Sequence, residues 1–236
     1  MKRILPLTTA SVLLALGSAH AALVTETYGP SVVNLAIPDN QPVLTSFLES
    51  ITTSSIVDLT QVTISLELRG TTVGAGFASD IFASLIKSPL SVAPTISDPS
   101  AILLNGVGIN GGDPVGFSYD GWNITFSDVA GSDIHLEAVL SGVLTGTYQP
   151  DGRTAPTDTL RPAMLSAFAG GAGNGDWRLN IGDLADGGTM QLVGWTLTLT
   201  GQDASAAVPE ASTWAAGVGM AAIAGASWWR ARRRAK

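Results

Sequence analysis

The feature that most restricts the fold of this chain is a strict two-residue alternation. Val62, Ile64, Leu66 and Leu68 are separated by Thr63, Ser65 and Glu67. Successive side chains of a strand point to opposite faces, so the pattern predicts a strand with one buried and one solvated face. It recurs at Trp122, Ile124 and Phe126 around Asn123 and Thr125, and at Trp195, Leu197 and Leu199 around Thr196 and Thr198. Ile81 to Ile86, Ala101 to Leu104, Ile134 to Leu140 and Trp177 to Ile181 read as further strands. Glycine-rich punctuation separates them at Gly106 to Gly112, at Gly170 to Gly175, and at Asp186-Gly187-Gly188 between the last two strands. Between the chain's ends, the only helix expected is a short one near Pro162 to Ala169. The series predicts an all-β sandwich. Trp122, Trp177 and Trp195 fall where large apolar groups fill the space between sheets; exposed, they would instead stack on sugar rings.

The two ends read as targeting segments. Lys2 and Arg3 precede an apolar stretch from Ile4 to Leu16, and Ala19-His20-Ala21 has the small-x-small form of a signal-peptidase site. Cleavage is expected between Ala21 and Ala22. At the other end, Val208-Pro209-Glu210-Ala211-Ser212-Thr213-Trp214 leads into an uncharged run of 17 residues, Thr213 to Trp229, followed by Arg230, Arg232, Arg233, Arg234 and Lys236. As a helix the run is roughly 26 Å long at about 1.5 Å per residue, a marginal membrane span. The basic cluster is expected to stay cytoplasmic, which puts the rest of the chain outside. Three segments result: a signal peptide over 1–21, a body over 22–207, and a tail over 208–236 with a single membrane helix at 213–229.

The tail resembles the PEP-CTERM sorting signal of Gram-negative bacteria, in which a Val-Pro-Glu-Pro motif, a short span and an arginine cluster follow in that order. Val208, Pro209 and Glu210 match the motif and Ala211 stands in place of its second proline. The resemblance implies export through the inner membrane with signal peptidase as a first partner. It further implies transient anchoring, processing by an exosortase, and release or attachment at the cell surface or extracellular matrix.

The body has no cysteine, so disulfides and thiolate metal sites are excluded. Its only basic residues are Arg69, Lys87, Arg153, Arg161 and Arg178 against 18 acidic ones, a net charge of −13 for residues 22–207. That balance argues against nucleic acid as a partner. It suits calcium binding and equally suits solubility outside the cell.

Motif order brings a second family into view. Asp80-Ile81-Phe82-Ala83-Ser84-Leu85-Ile86-Lys87-Ser88-Pro89, Trp122 to Asp128, and Gly146-Thr147-Tyr148-Gln149-Pro150-Asp151-Gly152 appear in sequence. They are followed by Asn174-Gly175-Asp176-Trp177-Arg178-Leu179 and Gly194-Trp195 to Gly201. The series is similar to the P domain, or P/Homo B domain, found behind the catalytic domain of subtilisin-like proprotein convertases. The resemblance implies an eight-stranded jelly-roll sandwich. In convertases that domain supports an attached protease domain, which this chain lacks, so the expectation is a non-enzyme with a binding or structural role. A detached accessory domain of a secreted subtilisin-like protease, and an exopolysaccharide-binding module, are the alternatives.

No catalytic residues are assigned. His135 is the one histidine of the body, expected on a strand opposite Ile134, and Gly116-Phe117-Ser118-Tyr119-Asp120 lacks the second glycine of a nucleophile elbow. Gly106-Val107-Gly108-Ile109-Asn110-Gly111 matches a dinucleotide fingerprint, yet Gly112-Asp113-Pro114 and a β segment follow where a helix must open. One histidine without cysteine excludes the common zinc sites. No cofactor is required, although Asp80, Asp128, Asp183 and Asp186, at expected strand ends and turns, are candidate calcium ligands. Aspartate also suits turns by bonding nearby backbone.

Overall fold

The structure, a computed structural model, describes residues 22–71, 76–77, 79–137 and 142–204, together with Arg230 and Arg233. The signal segment up to Ala21, the motif Val208, Pro209 and Glu210, the span 213–229, Arg232 and Arg234 lie outside the described residues. Arg230 and Arg233 are exposed and helical in backbone. Among the described residues no helix is long and apolar enough to cross a membrane.

Residues Ala22–Ala204 form one compact all-β unit. Its strands are β1 (Leu23–Ala36), β2 (Thr45–Ile51), β3 (Ile56–Gly70), β4 (Gly76–Phe77), β5 (Ile81–Ser88) and β6 (Ser100–Asn105). They continue with β7 (Ser118–Tyr119), β8 (Gly121–Phe126), β9 (Val143–Tyr148), β10 (Gly175–Asp183) and β11 (Met190–Asp203). One sheet has the order β1-β11-β3-β8-β9 and the other β2-β10-β5-β6, with β4 and β7 as a separate small ribbon. The antiparallel pairs are nested: β5 with β6, β3 with β8, β2 with β10, β1 with β11. Among the described strands only β9 runs parallel to its neighbour, β8. The two sheets therefore hold nine strands among the described residues, one more than the eight expected.

The alternation does what it predicts. Ile64, Leu66 and Leu68 of β3, Trp122, Ile124 and Phe126 of β8, and Leu197 and Leu199 of β11 turn inward. They join Ile81, Leu85, Trp177, Leu179 and Ile181 from the other sheet in one core cluster. Each such side chain contributes about 1.5–3 kcal/mol by leaving water. Trp122, Trp177 and Trp195 are all buried, so they pack the core and none of the three is a sugar platform.

Three differences from expectation have local causes. Strand β1, an edge strand, alternates exposed and half-buried residues from Leu23 to Gly29 without an apolar alternation in its sequence, and its register shifts at Tyr28/Ser31 and Val32/Leu35. Gly29 sits at the first shift with φ +93, and a Cβ there would lie 2.9 Å from the Trp195 carbonyl oxygen. Ile134–Leu136 is a 3-10 turn and not the start of a strand. The Asp133 side chain accepts from the His135 amide at 3.0 Å, a cap that competes with strand pairing. The expected helix contracts to a 3-10 turn at Leu165–Phe168.

Candidate metal centre

The corner where β1 leaves its sheet, β5 begins and β10 ends brings three carboxylates to bear on one another. The Ile37 amide bonds the Met190 carbonyl at 2.8 Å, and the next turn carries Asp39. Two residues on, the Gln41 amide bonds the Asp183 carbonyl at 2.9 Å. The Leu184 amide bonds the Asp80 carbonyl at 2.8 Å, and Asp183 stands opposite Ile81 in the β10–β5 register. Backbone pairing thus fixes all three aspartates.

Asp183 is 0% exposed, and neither of its carboxylate oxygens has a hydrogen-bond partner of normal geometry. Asp39 Oδ1 is likewise buried and unpaired. Burial pushes the Asp183 carboxyl up to about 7, and the Asp80 and Asp39 charges push in the same direction. The Ala185 amide offsets this only in part. Asp80 is also raised, by burial first and then by Asp39, although the Ser79 hydroxyl donates to it at 3.0 Å. Buried carboxylates left without donors are costly. The donor set is entirely hard oxygen, which fits calcium or magnesium and no softer metal. Among the described residues no group of three His, Cys, Asp or Glu side chains is placed to hold a metal ion, so the corner is an electrostatic cluster.

Of the four expected ligands, the structure gathers Asp80 and Asp183 and adds Asp39. Asp128 does other work: its oxygens accept from the Leu165 and Ser166 amides at 3.1 and 2.6 Å, capping the 3-10 turn. Asp186 is exposed in the bend between β10 and β11, and it is not among the charges acting on Asp183. Nothing in the sequence marks Asp39, because Pro38-Asp39-Asn40 carries only the signature of a turn.

A second buried network surrounds His135, which is buried together with Ile134. Its Nδ1 is 2.8 Å from Asp151 Oδ2 and its Nε2 is 2.9 Å from the Ile109 carbonyl. Both partners only accept, so both ring nitrogens donate and the imidazole is charged. Burial opposes that charge, but Asp151 and the Ile109 carbonyl outweigh it and raise the pKa. Arg153 reaches Asp151 Oδ1 at 3.0 Å and Asp133 Oδ2 at 2.7 Å. A histidine committed on both sides has no nitrogen left to take a proton from a nucleophile. The Gly106–Gly111 stretch forms turns, and no helix opens there.

No family model and no curated protein matches this sequence. The solved structures similar to it include two of a serine protease. One is the Aeromonas sobria serine protease in complex with the chaperone, at 16% identity and a TM-score of 0.39, covering 78% of this chain and 28% of that one. The other is the Aeromonas sobria serine protease itself, at 16% identity and a TM-score of 0.38, covering 80% and 28%. The chain thus spans 28% of the length of each.

Proposed function

We propose that this chain is an exported, surface-sorted β-sandwich without catalytic activity, with a binding or structural role at the cell envelope or extracellular matrix. The corner at Asp183 would draw a hard cation such as calcium, with backbone and water oxygens completing a shell that Asp39, Asp80 and Asp183 do not form by themselves. The observation that carries the cation is the Asp183 carboxylate, wholly buried with both oxygens unpaired beside two further acids. Calcium would supply the positive charge that the protein leaves out. Export and sorting rest on the sequence of the two ends, with exosortase and signal peptidase as transient partners.

Intact mass of the protein from native membrane and extracellular fractions tests the sorting. A species from Ala22 to near Glu210 supports it, whereas a membrane species retaining Arg230 to Lys236 leaves a simple anchored sandwich. Calcium titration calorimetry tests the cation, and the absence of binding by wild type removes it.

A second reading is a P-domain-like jelly roll acting as the detached accessory domain of a secreted subtilisin-like protease. The nested antiparallel pairs support it, since a jelly roll is a long hairpin of paired strands wound around a core. Co-purification of the tagged protein with such a protease from culture medium supports this reading. Recovery of the protein alone counts against it.

A further inference from the structure

The outer face of the β1-β11-β3-β8-β9 sheet has a composition that the core does not explain. Side chains opposite the inward row are free to be anything polar, and a body of charge −13 leads one to expect acids there. In its two central rows they are all hydroxyls. Thr27 of β1, Thr198 of β11 and Thr63 of β3 stand in one cross-strand row. Thr196, Ser65, Thr125 and Thr147 make the next, from β11 to β9. Rows repeat roughly 6.8 Å apart along the strands, and strands lie about 4.8 Å apart across them.

Neighbouring hydroxyls pair: Thr25 with Thr200 at 3.0 Å, Thr27 with Thr198 at 3.3 Å, Ser65 with Thr125 at 2.7 Å. Each hydroxyl holds one donor and two acceptor sites, so a paired row still offers both kinds to a ligand. The third row is different. Val32, Gly194, Glu67 and Asn123 lie side by side across four strands and line a shallow depression. Gly194 has no side chain to fill it, and Val32, 71% exposed, forms an apolar wall. Glu67 is the one acid of this stretch of β3, and Arg69 pairs with it at 2.6 Å. The face is therefore close to neutral within an acidic body.

We infer that this sheet face binds a neutral polysaccharide, with the Val32, Gly194, Glu67 and Asn123 depression as the main subsite and the threonine rows as its extension. A polyol presents the same mixture of donors and acceptors as the rows. The carboxylate of Glu67 and the amide of Asn123, on adjacent strands, are placed to share neighbouring hydroxyls of one sugar. An anionic polymer finds no cationic surplus on this face. The inference deepens the binding role proposed above and replaces tryptophan stacking as its route.

The test is native affinity electrophoresis of the full chain in gels containing hydroxyethyl cellulose, dextran or alginate. Wild type is expected to be retarded by at least one of the two neutral polymers and not by alginate. Asn123→Ala and Thr198→Lys should each weaken the retardation at least tenfold, while Ser97→Lys, on an exposed loop, leaves it unchanged. Thermal melting of each variant separates lost binding from lost folding, and Thr63→Lys serves if Thr198→Lys does not fold. No retardation by either neutral polymer, preference for alginate, or full retardation of both face variants overturns the inference. None of these outcomes touches the mass measurement that decides export.

Discussion

In the network around Asp151, every buried charge has a partner of opposite sign: Arg153 and His135 meet Asp151, and Arg153 meets Asp133 as well. In the corner around Asp183, three acids act on one another with no base, and three buried oxygens lack a donor of normal geometry. Asp151 and Asp183 are the same residue type, buried to the same extent in one sandwich, yet the fold supplies a counter-charge to the first and none to the second. Glu26 shows that neutral donors can take the place of a counter-charge. Burial would raise its pKa, but Ser54, Tyr28 and Ser55 donate to it and bring it down to about 2.

The largest effect should come from unbalancing the satisfied network. Arg153→Met leaves Asp151 and Asp133 short of charge and should cost about 3–5 kcal/mol in urea unfolding. A loss below about 1 kcal/mol would break the comparison. Next, calcium at about one hundred times its dissociation constant should stabilise wild type by about 2.7 kcal/mol. Asp183→Asn should abolish that gain. Without calcium at pH 7.5, Asp183→Asn should itself be stabilising, whereas Asp151→Asn should destabilise, an opposition of sign that circular dichroism melts can read directly.

The pH response sharpens the same contrast. Folded Asp183 keeps its proton to about pH 7 against an ordinary value of 3.8, so the folded state binds the extra proton between these values. Without calcium, stability should fall as pH rises from about 4 to about 7, and Asp183→Asn should flatten that slope. His135 is also raised, so its contribution is complete below its unfolded value of 6.5 and is lost only as pH climbs through its folded value. His135→Gln should remove the upper limb alone. The smallest effect is Asp128→Ala, which uncaps the Leu165–Phe168 turn at about 1 kcal/mol and leaves the calcium response unchanged.

Much of the sandwich was legible because burial of one strand face is a local, periodic demand. Val62 to Leu68, Trp122 to Phe126 and Trp195 to Leu199 each announce their inward row within a few residues. Strands β1, β2 and β9 bury few large apolar side chains and carry no apolar alternation in their sequences, whereas the edge strand β6 buries Ala101, Leu103 and Leu104 and is legible. Half of the expected calcium ligands converge, because aspartates at strand ends are common and only pairing between strands decides which ends meet.

The sequence by itself determined that this chain builds an all-β core without disulfides, since alternation and the lack of cysteine act residue by residue. It also carries the sorting expectation whole, because a targeting segment is read as a linear string. Only the tertiary structure decided that Asp39 joins Asp80 and Asp183 while Asp128 caps a turn, and that His135 is spent on Asp151 and Ile109. Electrostatic fate depends on what lies within a few ångströms across strands, and neighbours of that kind are distant in the chain.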